Sequence, residues 1–368
     1  MNSKNAVLFP LTEEVVPLLR FRKMLKQMSE IEIVSTVSPY GILAEGKDPS
    51  LLDEGESVGL VAQNDFLTAI CDCDLLILPD VSKWMAGSYF SDILENVMCA
   101  IRNKIDIYYL KPLPSPFQEF LEKYAEMYSV NSYVDNISHG NYLQEQRKLL
   151  PIQTPVVAVT SFDEECSKLQ VQLGVKNALE EQGLKVSYIS SKPFGELLGF
   201  HSFPSKAFLR QLEIDDQCKF LNHYISSIEQ IEDPDIILIG IPGGFTPVDE
   251  EYLNGCGLLH SLISFAVNFD FLISLIPCSG LTTEYILHTC NRAKQLMSGY
   301  PDMLGLSHIK IDPTVFADQH LVNEKDIYDQ TKIQSMITEY QQKGILVYDA
   351  ASSEFYKKAA EQIITKLT

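Results

Sequence analysis

Segments typical of β-strands and segments typical of α-helices alternate along almost the whole chain, in two consecutive series. The strand-like runs of the first series lie at 6–9, 31–37, 75–78 and 105–110. Amphipathic stretches such as 91–102 separate them, and strands separated by helices pair in parallel with the helices packed on the sheet faces. Residues 1–140 are therefore predicted to form a Rossmann-like α/β domain.

The second series follows a polar stretch, 141–154, that is typical of a linker. Its strand-like runs lie at 156–160, 186–190, 236–239, 271–276 and 345–348. A chain of 368 residues is also longer than one ordinary hydrophobic core supports. The sequence thus predicts two α/β domains with mainly parallel sheets, and the second, over 155–368, resembles a P-loop NTPase domain with a degenerate phosphate loop.

The charge balance excludes some partners. Asp and Glu number 49 against 29 Lys and Arg, which gives a net charge of −20. Nucleic acids and anionic membrane surfaces both require clustered Lys and Arg, so we expect neither as a partner. The apolar run 258–277 contains His260, Asn268 and Asp270, and it predicts a buried helix followed by a buried strand rather than a membrane span. With no long apolar stretch at the N-terminus, we expect a cytoplasmic protein.

The stretch VVAVTSFDEECSKLQ, residues 156–170, has the strand–loop–helix order of a phosphate-binding P-loop, G-x-x-x-x-G-K-[ST]. In that alignment Lys168 occupies the lysine position. Phe162 and Ser167 replace the two glycines that let backbone N–H groups turn toward phosphate. Leu169 replaces the Ser or Thr that would ligate Mg²⁺, and it cannot do so. The loop therefore predicts the scaffold of a phosphate site without its hydrolytic chemistry.

Charge supports the same prediction. Asp163, Glu164 and Glu165 stand where a triphosphate would lie, and each charge at a few ångströms is unfavourable by about 1 kcal/mol even in water. The strand at 236–239 is followed by Gly240, with no acid for a metal before Asp249. We expect no metal. A nucleotide or CoA-like ligand stays open, and its candidate binding residues are Ser161, Ser167, Lys168, Gly195, Gly243, Gly244 and Ser279.

Two residues are candidates for catalysis. Cys166 stands at the predicted start of a helix near Lys168, which favours a thiolate, although three acids precede it. His201, in a glycine-containing loop, is the candidate base, and a structural histidine is the alternative. His260 and His288 lie at helical spacing among apolar residues and are predicted to be buried.

The remaining cysteines have no zinc-like spacing, and in a reducing compartment most of the eight are expected to be small buried side chains. In the first domain, PLTEEV follows the first strand where a dinucleotide-binding loop would need G-x-G-x-x-G. The next loop, with Tyr40, Gly41, Gly46, Lys47 and Asp48, is either a ligand loop or a solvated loop.

Ordered segments across nearly the whole chain resemble the peptide maturation system protein family. These segments are NAVLFP, PLLRFRKML, VSPYGILAEGKD, VGLVAQNDF, CDLLILPD, the run from Ser167 to Phe200, and IILIGIPGG. The chain is more distantly similar to a family with a Rossmann-like first half and a P-loop second half that includes D-amino-acid N-acetyltransferases. SFDEEC before Ser167–Lys168 departs from the smaller loop, with glycine or Ser/Thr, of the closer family.

The resemblance implies a role in the maturation of ribosomally synthesised, radical-SAM-modified peptides. Two functions follow from it and from the loop. One is an accessory protein that binds a precursor peptide, a maturase or both on a P-loop-derived platform. The other is a nucleotide- or acyl-CoA-dependent transferase or ligase that acts on the peptide. A nucleotide-gated switch is a third reading.

Overall fold

The computed structural model of the chain describes residues 3–39, 42–81, 84–85, 89–134, 148–164, 166–191, 198–203, 212–247, 253–310, 326–327 and 329–367. The chain divides into two compact units. The N-terminal unit comprises Met1–Asn136 with Pro193–Gly199, and the C-terminal unit comprises Ile137–Lys192 with Phe200–Thr368. The α/β class expected from the alternating segments is confirmed.

The N-terminal unit is built on a five-stranded parallel sheet. Its strands are β1 (Lys4–Leu8), β2 (Ile31–Thr36), β3 (Leu75–Leu78), β4 (Asp106–Tyr109) and β5 (Ser132–Val134). Its helices are α1 (Val16–Arg20), α2 (Arg22–Ser29), α3 (Phe66–Ile70), α4 (Tyr89–Arg102) and α5 (Ser115–Tyr128), with short 3-10 helices at Glu13–Val15 and Pro49–Leu52.

The strand order of this sheet is β2-β1-β3-β4-β5, the flavodoxin-like form of a doubly wound sheet. All four residues of β3 are fully buried, as a strand covered by helices on both faces must be. Thr12 precedes the first helical residues, which form a 3-10 turn, but its side chain makes no capping hydrogen bond. Capping requires a side-chain oxygen aimed at the first N–H groups.

The loop after β2 is ordered by its own carboxylate. Asp48 accepts hydrogen bonds from Ser50 N, Val58 N and the Ser57 hydroxyl. Gly46 N also donates to the carbonyl of Ala62 at 2.9 Å. The described part of this loop, from residue 42, is therefore a hydrogen-bonded structure rather than only a solvated loop, while Tyr40 and Gly41 lie outside the described residues.

The C-terminal unit is built on a seven-stranded parallel sheet. In chain order the strands are β6 (Val156–Ser161), β7 (Val186–Ser190), β8 (His201–Ser202), β9 (Ile236–Gly240), β10 (Phe271–Ile276), β11 (Met303–Leu306), a separate antiparallel pair β12 (Ile309–Lys310) and β13 (Asp326–Ile327), and β14 (Val347–Asp349). Its helices are α6 (Lys168–Glu181), α7 (Ile214–Glu232), α8 (Leu258–Ala266), α9 (Thr283–Met297), α10 (Gln330–Gln342) and α11 (Ser353–Leu367). A 3-10 helix spans Asn254–Gly257.

The strand order β14-β11-β10-β6-β9-β7-β8 places β6 in the middle of the sheet. From β6 the chain crosses to β7 and β9 on one side, and from β9 it crosses to β10 on the other side. Loops that leave neighbouring strands in opposite directions open a crevice at the carboxyl ends of those strands. This edge of the sheet, where β6, β9, β10, β11 and β14 end, is called the carboxyl edge below.

At the opposite, amino edge of both sheets, Asp side chains accept hydrogen bonds from backbone N–H groups near the starts of the strands. Asp74 accepts from the N–H of Asn5 at 3.0 Å, and Asp270 accepts from the N–H of Val156 at 2.8 Å. Asp302 and Asp235 do the same for Leu272 and Lys185. The first N–H groups of a strand otherwise lack partners, and a buried N–H needs one. Part of the acidity of the chain therefore has a structural use.

The segment before β6 is also tied to the C-terminal unit. The amide of Asn222 on α7 pairs with both the N–H and the C=O of Leu150. Glu229 lies about two turns further along the same face of α7. It accepts hydrogen bonds from the N–H groups of Gln153 and Thr154. Residues 148–154 of the predicted linker therefore lie along α7.

The run 258–277 folds as α8 followed by the buried strand β10, as predicted. In the described part of the chain, no helix combines the length and apolarity that crossing a membrane requires. The prediction for the cysteines was wrong for most of them. Only Cys166, Cys278 and Cys290 are buried, because the others lie at helix surfaces and in loops.

Candidate functional site

The loop after β6 is held against the loop after β9. The carbonyl oxygen of Phe162 accepts hydrogen bonds from Phe245 N at 3.1 Å, Thr246 N at 3.0 Å and the Thr246 hydroxyl at 2.7 Å. Phe162 N in turn donates to Leu275 O of β10 at 2.9 Å. These bonds join the ends of three neighbouring strands, so the loops after β6 and β9 meet at the carboxyl edge.

Lys168, the residue at the P-loop lysine position, is buried and faces protein oxygens. Its side-chain nitrogen donates to Ser161 Oγ at 2.8 Å, to the carbonyl oxygen of Gly243 at 2.5 Å and to that of Glu164 at 3.4 Å. Ser161 Oγ donates onward to the carbonyl of Asp163. The ammonium group therefore closes the 161–164 loop onto the loop after β9. We call this arrangement the Lys168 clasp.

Gly244 is needed because two backbones meet there. A Cβ on Gly244 would lie 2.6 Å from the carbonyl oxygen of Phe162 and 2.7 Å from the Cα of Asp163. Gly243, one residue earlier, has φ +80°, a conformation that glycine adopts without strain. Both glycines therefore lie where the two loops meet, and their role in binding a ligand stays a prediction.

Gly240, the last residue of β9, leaves room for a buried side-chain amide. A Cβ at this position would lie 2.3 Å from the Cδ of Gln172. The Gln172 amide is fully buried and donates to Ser191 Oγ at 2.9 Å, while the Tyr188 hydroxyl donates to its oxygen at 2.5 Å. A carboxylate side chain at position 240 would displace the Gln172 amide from these hydrogen bonds. Among the described residues, no group of three or more His, Cys, Asp or Glu is arranged to hold a metal ion.

Ser167, at the second P-loop glycine position, has φ +33° and ψ 33° and makes no capping hydrogen bond at the start of α6. A non-glycine residue in the left-handed region is strained by roughly 1–3 kcal/mol. The backbone thus keeps the conformation that a glycine would favour here.

Beneath the loops lies an aromatic and polar layer. Phe162 and Phe245 pack edge to face with ring centroids 5.4 Å apart, and Phe245 packs in the same way on His260. His260 Nε2 lies 2.7 Å from Thr160 Oγ1 of β6. His260 is buried as predicted, but His288 is exposed, because it faces away from the sheet on α9.

The other candidate residues are spread along the carboxyl edge. Cys166 is fully buried between the loop and α6, and Asp163 is buried too, whereas Glu164 is exposed. Ser279 follows β10 and is half-buried. Gly195 and Glu165 lie outside the described residues.

His201 is not beside Cys166. It lies on β8, separated from β6 by β9 and β7, and three strand spacings amount to about 14 Å. Its Nε2 lies 2.5 Å from Glu232 Oε1 at the end of α7. The hydrogen bond from His201, helped by one from Ser187, lowers the pKa of Glu232. His201 is therefore bound into a structural pair, and the two catalytic candidates do not form one site.

A histidine that was not among the predicted site residues, His308, also lies at the carboxyl edge. His308 follows β11, Asp349 ends β14, and His308 Nε2 lies 2.7 Å from Asp349 Oδ1. Both side chains are buried, with 4% and 6% exposed. The strand β11 was not predicted, since it is four residues long and contains Gly305, so nothing in the sequence placed His308 at a strand end.

Comparison with solved structures supports the two-domain α/β architecture. A DUF1611 family protein from Anabaena variabilis is similar over 98% of this chain and 99% of its own, with a TM-score of 0.57 and 13% identity, a level that shows the fold alone. The S. aureus homoserine dehydrogenase (62% of this chain, 50% of that one, 12% identity, TM-score 0.28) and the Mycobacterium smegmatis amine dehydrogenase (62%, 61%, 14%, 0.25) are too dissimilar to carry an argument. No family model and no curated protein sequence matches the chain.

Proposed function

We propose that this protein is an accessory protein in the maturation of a ribosomally synthesised peptide, and that it binds the precursor peptide, a radical-SAM maturase or both. The binding surface is the carboxyl edge of the C-terminal sheet. In this function the P-loop-like scaffold is a binding platform without ordinary ATP hydrolysis, and the protein acts in the cytoplasm.

The Lys168 clasp is the observation that carries the proposal. In a working phosphate loop the lysine neutralises phosphate charge. Here its ammonium already donates to Ser161 Oγ and to the carbonyls of Gly243 and Glu164. Hydrogen bonds from a charged donor contribute about 1.5–3 kcal/mol each, so a phosphate would have to replace contacts of comparable strength.

Two further features support a site without metal-dependent hydrolysis. Gln172 fills the space beside Gly240, at the strand end where a metal-binding acid would stand. Asp163 is buried within the loop itself. A negative charge in that position opposes the binding of a triphosphate.

Peptide maturation as the biological role rests on the resemblance of the sequence segments named above. The carboxyl edge suits such a ligand because it offers a row of loops at a topological switch point, where α/β proteins bind ligands. The net charge of −20 favours a precursor peptide or maturase surface with basic residues.

The second candidate function is a nucleotide- or acyl-CoA-dependent transferase or ligase that acts on the same peptide. It is favoured by one observation: Lys168 and Ser161 are kept in contact at the crevice between β6 and β10. In that function Lys168 would leave the clasp to bind a phosphate or a CoA pyrophosphate.

Co-expression separates the two functions. The tagged protein is produced with a precursor peptide and a radical-SAM maturase from a gene cluster of the family, then purified without nucleotide or Mg²⁺. We expect the peptide or the maturase to co-purify, and the mass of the peptide to stay unchanged when the complex is incubated with Mg²⁺–ATP or acetyl-CoA. A nucleotide- or acetyl-CoA-dependent change in peptide mass would establish the transferase or ligase instead. Failure to co-purify either partner would remove the accessory function.

A further inference from the structure

The pair of His308 and Asp349 lies on the carboxyl edge, two strand spacings, or about 10 Å, from the end of β6. β11 and β14 pair in parallel, with Leu306 opposite Asp349, and this register brings the two side chains together. The backbone N–H of Ala351 also donates to Asp349 Oδ1, at 2.9 Å. The carboxylate is therefore fixed from two directions and in turn fixes the imidazole ring.

The chemistry of the pair determines which ring nitrogen is free to bind. A carboxylate only accepts hydrogen bonds, so a neutral His308 carries its proton on Nε2 and offers a lone pair at Nδ1. Nδ1 is buried, and none of the described residues forms a hydrogen bond with it. A buried acceptor without a donor is unfavourable by about 1–3 kcal/mol, and native structures keep few of them.

The thiol of Cys278 does not compete with His308 as an acceptor for an N–H group of a ligand. Cys278, at the end of β10, donates from its N–H to Ile309 O at 2.9 Å, and its sulfur lies 3.2 Å from Met336 Sδ. Burial raises the pKa of the Cys278 thiol to about 12, so the thiol stays uncharged near neutral pH. His308 Nδ1 is a buried acceptor without a hydrogen-bond partner among the described residues.

We propose that His308 Nδ1 accepts a hydrogen bond from a main-chain N–H of a peptide bound along the carboxyl edge, and that Asp349 is the residue that positions the ring. This inference rests on the proposed function in taking a peptide as the ligand. A strand rises about 3.3 Å per residue, so three or four peptide residues span the distance from the end of β6 to His308. Nδ1 has almost no exposed surface, so this binding requires a local opening of the edge at His308.

Nitrogen NMR of the histidine rings tests the inference in the full chain. The ring resonances of His308 are assigned by their loss in His308→Gln. The probe is N-acetyl-triglycine amide, and its control is N-acetyl-trisarcosine dimethylamide, which has the same main chain without N–H donors. We expect free His308 as the Nε2–H tautomer, and an upfield shift of Nδ1 with the triglycine probe only. Asp349→Asn should reverse the tautomer, because an amide N–H then donates to Nε2, and should abolish the shift.

The backbone amide resonances of residues 161–168 and 243–246 are followed in the same titration. If they move while Nδ1 does not, peptide binding stands and the role of His308 is refuted. An Nδ1 that is already protonated in the free protein, or that shifts equally with both probes, also overturns the inference. If no resonance moves with either probe, the peptide-binding function fails together with it.

Discussion

The side-chain ammonium of Lys168 donates a hydrogen bond to the carbonyl oxygen of Gly243, so a helix start and a strand-end loop 75 residues apart are joined by one group. The same ammonium holds Ser161 at the end of β6. The loop after β6 has the residue order of a phosphate site without its glycines and its Mg²⁺-binding residue, and its lysine binds protein oxygens. The lysine stabilises the fold of the crevice.

Lys168→Met should lower the free energy of unfolding by about 2–3 kcal/mol, because methionine keeps the apolar stem but loses the charged donor. Lys176→Met is the matched control. Lys176 is also buried on α6, but its ammonium pairs with Glu180, which is half-exposed, so a loss of about 1 kcal/mol or less is expected. Urea unfolding of both variants measures the difference. Equal losses in the free energy of unfolding would show that the Lys168 clasp stabilises the fold no more than the Lys176–Glu180 pair does.

Gly244→Ala should be strongly destabilising, since its Cβ would meet the Phe162 and Asp163 backbone at under 3 Å. Overpacking typically destabilises by about 1–3 kcal/mol, and backbone atoms cannot move aside as a side chain does. Gly299→Ala, where nothing lies within 4 Å of the added Cβ, is expected to stay within about 0.5 kcal/mol of wild type. Thermal unfolding compares the two. A Gly244→Ala protein as stable as Gly299→Ala would mean that the loops are not in contact.

Much of this architecture was predictable from the sequence. The strands β3, β7 and β10 were predicted with their observed bounds. β3 and β10 are short, mainly apolar runs, and β7 contains the β-branched residues Val186 and Ile189 and the aromatic Tyr188. The helix α10 was missed although Ile333, Met336, Ile337 and Tyr340 keep helical spacing after the capping residue Asp329. That signal was available.

The site was less accessible to sequence reasoning. Lys168, Ser161 and Gly243 were all candidates, but as ligand-binding residues, and no local pattern reveals that they bind one another. The pair His308–Asp349 depends on the register of β11 with β14, a relationship between segments 41 residues apart. The pairing of segments that lie so far apart in the sequence is determined by packing and not by local propensity.

Asp48→Asn should destabilise the N-terminal unit at neutral pH by about 1–2 kcal/mol, the range of a lost capping side chain. Partial burial disfavours the charged form of Asp48, but hydrogen bonds from Ser57, Ser50 and Val58 outweigh it and hold the pKa below its usual value. A carboxyl whose folded pKa is lowered stabilises the fold above its unfolded pKa, about 3.9, and that contribution declines as the pH falls below it.

Wild type and Asp48→Asn should therefore differ in stability at pH 7 and converge as the pH drops below about 4. Urea unfolding at a series of pH values measures the gap. A gap that widens on acidification would contradict the assigned sign.

Thiol reactivity should follow exposure. Cys71 and Cys256 are exposed and should react first with iodoacetamide, whereas Cys166, Cys278 and Cys290 are buried. Burial also raises the pKa of the Cys290 thiol to about 11, which suppresses its reactive thiolate. Mass spectrometry of the native protein gives the order of labelling. His201→Gln should leave the rate at Cys166 unchanged, since the two residues lie strands apart. Fast labelling of Cys166 that slows in His201→Gln would restore them as a catalytic pair.

The most direct test of the Lys168 clasp is a thermal-shift titration of the wild-type protein with ATP, ADP, GTP and acetyl-CoA, with and without Mg²⁺. A ligand at 100 times its Kd would add about 2.7 kcal/mol, or about 5–10 °C in Tm for a domain of this size. We predict no shift at millimolar concentration, because the ammonium that would bind phosphate is engaged within the protein. A shift of several degrees that disappears in Lys168→Met would contradict the account and show a working phosphate site.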